Sequence, residues 1–252
     1  MSAESDEGFK RILLKISGES FCRENTTGID LERVSQIADE TAAVYNSGCE
    51  LAIVCGGGNF IRGAVFEKAG MDRATADYMG MMATILNALA LQDALERKGV
   101  ETRVLTALEI PDVAEPFIRR RALRHLEKGR IIILAGGTGN PYFTTDTAAA
   151  LRAVELNCNV LLKGTKVDGV YDKDPKRDVT AKFHRRLTFM DVLKQQLKVM
   201  DATAATLCME NNIPVNVFNM LVAGNIQAAA LGEGIGTLIT NAEPGKKKED
   251  GE

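Results

Sequence analysis

Short apolar runs alternate with amphipathic stretches along nearly the whole chain. The apolar runs are rich in Ile, Val and Leu, which favours β-strands at Arg11–Ile16, Leu51–Cys55, Arg103–Ala107, Ile131–Ala135, Val160–Lys163, Val215–Phe218 and Thr237–Ile239. The stretches between them repeat apolar residues every three or four positions, as helices do when one side packs against a core. This alternation predicts an α/β fold: a three-layer αβα sandwich with a mostly parallel central sheet.

The predicted helices cover Asp30–Gly48, Asp72–Lys98, Pro116–Lys128, Thr145–Asn157, Thr188–Gln196, Asp201–Asn212 and Asn225–Leu231. Asp30 is suited to cap the amino end of the first helix, and Gly48 its carboxyl end. The Met-rich part of the second helix, Met79–Met82, suits either the core or a subunit contact. The segment Val167–Thr180 breaks the alternation, and its Asp-Gly and Asp-Pro pairs predict a hairpin and loop beside the sheet.

The composition narrows the class of protein. The 252 residues suit one large domain over residues 1–240, followed by a charged, disordered tail over residues 241–252. Basic residues number 31 and acidic residues 34, a net charge of −3, so we expect no binding to nucleic acid or to a membrane. The N-terminal segment carries acidic residues and no apolar stretch, so it is not predicted to be a signal peptide.

Cysteine and histidine residues give no sign of a metal site. The five cysteines form no C-x-x-C pair, and their odd number is typical of free thiols in a reducing compartment. The two histidines, His125 and His184, are too few and too isolated for a zinc site. The expected location is therefore the cytoplasm.

The first two predicted strands are each followed by residues that are suited to bind an anion. This matters because ligands of open parallel sheets bind beyond the carboxyl ends of the strands. The first strand runs into Lys15–Gly18, which offers an ammonium group and open backbone N–H groups, although a surface lysine would give the same pattern. The second ends in Gly56–Gly58, with Arg62 following. Consecutive glycines allow the backbone to approach a phosphate closely, and arginine matches phosphate geometry. A flexible turn is the alternative interpretation of the glycines.

Two later strands are also followed by residues that are suited to bind phosphate. The fourth predicted strand leads into Gly136–Pro141, a second glycine-rich turn with hydroxyl donors, and then into the helix at Thr145. The fifth ends at Lys163. Further on, Tyr171 suits contact with a base, and Asp174 suits a hydrogen bond from a ribose or an amino group. Two phosphate-binding turns on one sheet indicate two phosphorylated ligands that face each other, as a phosphotransferase requires.

The motifs of other nucleotide-binding proteins are absent from the sequence. No G-x-x-x-x-G-K-[ST] motif occurs, which excludes a P-loop kinase. No G-x-G-x-x-G follows the first strand, which counts against a dinucleotide-binding dehydrogenase. The run Gly232–Gly236 is interpreted as a turn before the last strand.

Together these segments resemble the amino-acid kinase superfamily, and within it the bacterial uridylate kinases. The resemblance rests on KRILLKISGES, IVCGGGNFIRG, KAGMDRATADYMGMMATILNALAL, ILAGGTGNPYFTTD, LLKGTKVDGVYDKDP, LKVMD, PVNVFNM and GTLIT, which occur in this order from Lys10 onward. It implies an acceptor-binding part over roughly residues 10–157 and an ATP-binding part over roughly residues 158–240. The implied reaction transfers the γ-phosphoryl group of ATP to UMP, with Mg²⁺ accompanying ATP.

The resemblance also implies a role for individual residues. ATP would be bound by Lys15, Ile16, Ser17, Gly18, Gly58, Arg62, Thr165, Tyr171 and Asp174. UMP would be bound by Gly57, Asp77, Thr138, Gly139, Asn140, Pro141, Tyr142, Phe143, Thr144 and Thr145. The catalytic group would comprise Lys15, Arg62, Lys163, Asp146 and Asp201, with the two aspartates positioning the lysines and Mg²⁺-bound water. For Asp201 a cap on the following helix is a second, compatible interpretation.

Uridylate kinases of this kind are typically homohexamers that GTP activates and UTP inhibits. A GTP site would use basic residues such as Arg103 and Arg130, but Gln92 stands where many members have arginine, and Gly164 where alanine is usual. Two alternatives stay open: a superfamily kinase with a carboxylate or carbamate acceptor, and a nucleotide sensor without turnover. The TGNPYFTTD loop and the region of Asp77 favour a nucleotide acceptor, and the retained lysines favour catalysis.

Overall fold

The computed structural model describes residues 9–61 and 70–241. Its strands are β1 (Arg11–Ile16), β2 (Glu50–Cys55), β3 (Thr102–Thr106), β4 (Glu115–Pro116), β5 (Ile131–Ala135), β6 (Val160–Thr165), β7 (Val170–Tyr171), β8 (Phe183–His184), β9 (Arg186–Thr188), β10 (Val215–Asn219) and β11 (Thr237–Thr240). Its helices are α1 (Leu31–Asn46), α2 (Arg73–Arg97), α3 (Arg119–Glu127), α4 (Thr145–Glu155), α5 (Phe189–Lys194), α6 (Ala202–Glu210) and α7 (Asn225–Ala230). A short 3₁₀ helix, Gly18–Phe21, follows β1.

The central sheet has nine strands in the order β4-β3-β5-β2-β1-β6-β10-β11-β9. Every neighbouring pair is parallel except β10 and β11, which pair antiparallel. The carboxyl ends of β1, β2, β5 and β6 therefore lie along one edge. The prediction of a mostly parallel sheet is confirmed, and so are all seven predicted strands.

The core lies on both faces of the sheet, because successive strand residues point to opposite sides. In β1, Ile12 and Leu14 pack in one cluster with α1, α2 and α7. Leu13 packs in a second cluster with residues of α3, α4, α5 and α6. The three-layer prediction is confirmed, and Lys15, two residues after Leu13, faces the α4 side.

Local capping explains where several helices begin. The Asp30 side chain accepts hydrogen bonds from the backbone N–H groups of Glu32 and Arg33, which confirms it as the cap of α1. Thr188 and Asp191 form a reciprocal capping box at the start of α5. These side chains satisfy N–H groups that the first helical turn leaves without partners.

Several predicted boundaries were wrong, including the ends of the helices predicted over Thr145–Asn157 and Asp201–Asn212, which end at Glu155 and Glu210. Pro116 belongs to edge strand β4, and α3 begins only at Arg119. Proline suits an edge strand because it has no N–H to donate. The hairpin predicted within Val167–Thr180 has its second strand beyond that segment: β7 pairs antiparallel with β8, at Phe183–His184. The helix predicted over Thr188–Gln196 is shorter, Phe189–Lys194.

Some predictions fall outside the described residues, among them Arg62 and residues 242–252 of the charged tail. Within residues 9–61 and 70–241, no helix is long and apolar enough to cross a membrane.

Candidate active site

The turn after β1 and the turn after β2 meet backbone to backbone. A Cβ atom on Gly18 would lie 2.8 Å from the carbonyl oxygen of Gly56 and closer still to the amide nitrogen of Gly58. A Cβ atom on Gly56 would lie 2.7 Å from the amide nitrogen of Gly18. Only glycine fits such an approach. The Lys15–Gly18 segment and the glycines after β2 therefore form one structure at the carboxyl edge of the sheet.

The turn after β2, residues 56–59, is called the first glycine loop, and it packs against α2. A Cβ atom on Gly57 would lie 2.6 Å from the carbonyl oxygen of Gly80 and 2.9 Å from Cβ of Ala83. Asn59, which ends the loop, is buried and hydrogen-bonded to Asn87 of α2. The loop is thus fixed between the sheet and this helix.

The second glycine loop, residues 136–144, follows β5 and begins in a left-handed conformation. Gly136 has φ +75° and Gly139 has φ +80°. The N–H of Gly136 donates to the hydroxyl of Thr84, with 2.8 Å between nitrogen and oxygen. Near its end, the backbone N–H of Tyr142 donates to Asp77 at 2.8 Å. Both glycine loops are therefore anchored to α2.

A cavity of about 280 Å³ lies between the two glycine loops and α2. Several residues predicted to bind the acceptor line it: Gly57, Asp77, Thr138, Phe143, Thr144 and Thr145. Arg73, Gly80 and Thr84 of α2 also line it. Arg73 pairs with Asp77 at 3.0 Å, and its guanidinium lies 5.9 Å from the centre of the Tyr142 ring. We call this space the acceptor cavity.

Lys15 and Lys163 converge on one carboxylate. They stand opposite each other on the paired strands β1 and β6, so their side chains leave the sheet on the same side. Asp146, in the first turn of α4, contacts both: its Oδ1 lies 2.9 Å from Nζ of Lys15, and Oδ2 accepts from Nζ of Lys163. Asp146 therefore contacts both lysines, and its role in positioning them stays a prediction.

The Asp146 carboxyl group titrates below its ordinary range. Burial alone would raise its pKa, but the positive charges of Lys15 and then Lys163 outweigh burial, so the pKa lies below the usual value of 3.8. Lys163 is itself 8% exposed. Burial lowers the pKa of Lys163 below its usual value of 10.5, and the charge of Asp146 opposes that shift. Two lysine side chains thus share one carboxylate, an arrangement that suits an anionic ligand.

Asp201 links the start of α4 to the start of α6 by hydrogen bonds. Its carboxylate accepts from the backbone N–H of Ala204 at 2.9 Å, which makes it the cap of α6. It also accepts from the hydroxyls of Thr144 and of Thr147, the latter at 2.9 Å. The capping interpretation is confirmed. The hydrogen bonds of Asp201 go to α4 and α6 rather than to a lysine.

A second cavity, of about 610 Å³, lies beyond the carboxyl end of β6, between residues 165–177 and residues 195–199. The predicted ATP-binding residues Thr165, Tyr171 and Asp174 line it. The Tyr171 and Phe183 rings pack at a centroid distance of 5.3 Å. Lys163 donates to the carbonyl oxygen of Val199, which is part of the cavity wall. We call this space the donor cavity. It is linked to the acceptor cavity through Lys163, Asp146 and α4.

The family of the chain follows from comparison with known proteins. The model of the amino acid kinase family matches residues 10–219, which include both cavities and the lysine group. The chain belongs to the amino acid kinase family.

Three solved structures of kinases superpose on most of this chain. UMP kinase from Bacillus anthracis superposes with a TM-score of 0.91 at 40% identity, covering 94% of this chain and 98% of that one. UMP kinase from Ureaplasma parvum gives 0.87 at 40% identity, covering 92% and 99%. Uridylate kinase from Archaeoglobus fulgidus gives 0.69 at 26% identity, covering 91% and 99%.

Within this amino acid kinase, the residues predicted for GTP lie toward the amino ends of their strands. Arg103 is at the start of β3, and Arg130 immediately precedes β5. Arg130 donates to Glu101 at 2.7 Å and contacts the ring of His125 at 3.2 Å. Arg103 donates to the carbonyl oxygen of Thr102, which also accepts from Gln92. These residues occupy the amino edge of the sheet, opposite the glycine loops.

The outer side of α2 exposes apolar side chains. Tyr78, Met79, Met82 and Leu86 are each more than a third exposed, whereas Met81 is buried. Met81 thus belongs to the core, and a subunit contact for the exposed residues stays a prediction. We call the four exposed residues the α2 apolar face.

Some residues that line the two cavities were not predicted from the sequence. Arg73 and Thr84 line the acceptor cavity, and residues 195–199 line the donor cavity. Arg73 precedes Asp77 by one helical turn, so its spacing is a signal that was available. Residues 195–199 follow a short helix, and although residues 197–199 belong to the LKVMD segment, only Asp201 of that segment was given a role.

Proposed function

We propose that this amino acid kinase is a UMP kinase, which transfers the γ-phosphoryl group of ATP to UMP and releases ADP and UDP in pyrimidine nucleotide synthesis. The observation that carries the proposal is the pair of cavities linked through Lys163 and Asp146: Val199, which accepts from Lys163, lines one, and Thr145, next to Asp146, lines the other. Phosphoryl transfer needs two phosphate groups end to end over positive charge. Similarity at 40% identity to two UMP kinases supports the choice of UMP.

UMP is assigned to the acceptor cavity. Its phosphate would lie against Gly57 and the hydroxyls of the second glycine loop, and its ribose against Asp77. The remaining loop residues of this site are Thr138, Gly139, Asn140, Pro141, Tyr142, Phe143, Thr144 and Thr145. The amide groups of a glycine loop and threonine hydroxyls are donors suited to phosphate oxygens.

ATP is assigned to the donor cavity and the turn after β1. The base would lie near Tyr171, with Thr165 and Asp174 beside the nucleoside. The phosphate chain would run over Lys15–Gly18 and Gly58 toward the acceptor. Arg62, which lies outside the described residues, is proposed to stand between the two phosphate chains. In this division UMP is bound within roughly residues 10–157, which also contact the phosphates of ATP, and the nucleoside of ATP is bound within roughly residues 158–240.

The chemistry requires charge neutralisation and alignment rather than proton removal. A phosphate oxygen of UMP, anionic at neutral pH, attacks the γ-phosphorus while the bond from that phosphorus to the bridging oxygen of ADP breaks. Lys15 and Lys163 offset the charge of the transferred group, and Asp146 orients both ammonium groups. Asp201 orients Asp146 indirectly, through the threonines that start α4.

Mg²⁺ is proposed to enter with ATP. Among residues 9–61 and 70–241, no group of three His, Cys, Asp or Glu side chains could hold a metal ion. That fits magnesium in kinases, which is bound mainly by nucleotide phosphates and waters with one or two carboxylates. When bound, it neutralises phosphate charge and aligns the phosphate chain.

A coupled ADP-release assay with UMP, CMP, GMP and acetylglutamate as acceptors tests the proposal. We expect turnover with UMP, and slower turnover or none with the other three. Preference for acetylglutamate would indicate an acid kinase of the same family. No ATP turnover with any acceptor, in protein that binds ATP and UMP, would indicate a nucleotide sensor.

We further propose a homohexamer that GTP activates and UTP inhibits, in the cytoplasm. The α2 apolar face supports assembly, since an exposed cluster of large apolar side chains marks an interaction site. Light scattering should give six chains for the wild type and fewer for Met82→Glu combined with Leu86→Glu. Leu31→Glu, a change at an exposed apolar residue of α1, should leave the assembly intact. A wild-type monomer would refute the proposal.

The basic residues at the amino edge of the sheet are proposed to bind GTP. Arg103→Ala and Arg130→Ala should reduce activation by GTP while leaving turnover without GTP within about twofold of wild type, because Arg103 lies on β3 and Arg130 precedes β5, away from the strands that carry the lysines. Activation that is unchanged in both variants would exclude them from the effector site.

A further inference from the structure

Thr84 and Asn87 are buried polar residues of α2 that the proposed chemistry does not use. They are 4% and 0% exposed, and they lie one helical turn apart on the side of α2 that faces the sheet. Buried polar side chains require hydrogen-bonding partners. The partners of these two residues are the two glycine loops.

Thr84 holds the second glycine loop. Its hydroxyl donates to the carbonyl oxygen of Met81 at 2.6 Å and accepts from the N–H of Gly136 at 2.8 Å. Gly136 is the first residue of that loop, where the chain leaves β5 with φ +75°. The bond therefore fixes the point from which the loop turns toward the acceptor cavity.

Asn87 holds the first glycine loop at both ends. Its amide nitrogen donates to the carbonyl oxygen of Gly56 at 2.8 Å and to Oδ1 of Asn59 at 2.7 Å. Asn59 donates in return to Oδ1 of Asn87 at 2.9 Å. Asn59 also donates to the carbonyl oxygen of Gly28 at 2.8 Å. One side chain of α2 thus spans the loop.

Glycine has little conformational preference of its own, so neither loop sets its own position. Both take their position from neighbouring side chains of the same rigid helix. We propose that Thr84 and Asn87 are positioning residues that keep the acceptor-binding and donor-binding loops at the spacing that phosphoryl transfer requires. The inference rests on the proposed function, because the loops are taken to bind the two nucleotides.

The two residues should differ in their kinetic effects. The second glycine loop is assigned to UMP alone, so loss of the Thr84 bond should raise KM for UMP and lower kcat, with KM for ATP unchanged. The first glycine loop is assigned to both nucleotides, so loss of the Asn87 bonds should raise both KM values. A displacement of reacting groups by about 1 Å can lower the rate by about 10²-fold. We therefore expect loss of either set of hydrogen bonds to lower kcat/KM for UMP by about 10- to 100-fold.

The experiment compares Thr84→Val, Thr84→Ser and Thr41→Val with wild type, in the coupled assay and in thermal unfolding. Thr41 is a matched control: it is buried in α1, and its hydroxyl donates to backbone carbonyl groups of its own helix, as that of Thr84 does. We expect Thr84→Val to lower kcat/KM for UMP, and Thr84→Ser to restore it to within about threefold of the wild-type value. Thr41→Val should change only the unfolding temperature.

Asn87→Leu, of similar size, tests the first loop in the same assay. If this variant does not fold, the threonine series still decides the question. Equal kinetics of Thr84→Val and Thr41→Val, or no recovery in Thr84→Ser, would overturn the inference. A wild-type protein without UMP kinase activity would refute the proposed function instead, so the two failures can be told apart.

Discussion

The carboxylate of Asp77 accepts a hydrogen bond from the backbone N–H of Tyr142, with 2.8 Å between oxygen and nitrogen. Tyr142 has φ +71°, a left-handed conformation that is unfavourable for a residue with a side chain. The hydrogen bond offsets part of that cost. Asp77 therefore holds the shape of the second glycine loop as well as lining the acceptor cavity.

Replacing Asp77 should weaken acceptor binding. We expect Asp77→Asn to raise KM for UMP about tenfold with kcat within about threefold, because the charge is lost from a group that acts in ground-state binding. Steady-state kinetics with varied UMP measures this. Asp93→Asn is the matched control, since Asp93 also pairs with an arginine of α2 but lies 64% exposed. A fall in kcat at constant KM would contradict the binding role.

Removing a lysine at the end of β1 should affect the chemical step. We expect Lys15→Ala to lower kcat by about 10²- to 10⁴-fold, by analogy with stabilising cations in other phosphoryl transfers. Lys166→Ala is a suitable control, because Lys166 pairs with Glu19 and is more exposed. Single-turnover measurements separate chemistry from product release. Near-normal rates in Lys15→Ala would remove the residue from the mechanism.

The stability contribution of Asp146 should depend on pH in a defined direction. Its folded-state pKa lies below the unfolded value near 3.8, so the ionised group stabilises the folded protein above that value. The contribution is lost as the pH falls through the lower folded-state pKa. We expect wild type to exceed Asp146→Asn in free energy of unfolding by a constant amount from about pH 8 to 5, and by less below about pH 4. Denaturant titrations at several pH values measure this, and a difference that grows in acid would show that the sign is wrong.

Two neighbouring glycines should respond to alanine in opposite directions. A Cβ atom on Gly57 would meet the carbonyl oxygen of Gly80 at 2.6 Å, so Gly57→Ala should destabilise the protein and impair activity. A Cβ atom on Gly80 meets nothing within 4 Å. Gly80→Ala should therefore raise the free energy of unfolding by about 0.5–1 kcal/mol, the usual gain inside a helix. Thermal unfolding of both variants gives the comparison, and a destabilised Gly80→Ala would show that the cavity wall is less open than described.

The sheet and the ends of its strands were predictable because they depend on local patterns. Runs such as Ile131–Ala135 are apolar without interruption, as strands buried on both faces are. Glycine turns and lysines that follow such strands must meet at one edge of a parallel sheet. That is why Lys15 and Lys163 were correctly expected to lie together.

The contacts of α2 were not predictable in the same way. Which of its sides meets the loops depends on how the helix crosses the sheet, and its sequence is apolar on several sides. Thr84 and Asn87 therefore look like ordinary helix residues until the loops are placed against them. Edge strand β4 was missed because two residues of strand give no periodicity.

The interlocked turns after β1 and β2 restrict which substitutions the protein can tolerate. The atoms that would obstruct a side chain at Gly18 or Gly56 are backbone nitrogen, carbon and oxygen, which every amino acid carries. No second-site suppressor at the opposing position can make room, since any replacement there brings the same atoms. A protein in which either glycine is replaced could regain this packing only if the backbone at the end of a strand shifted.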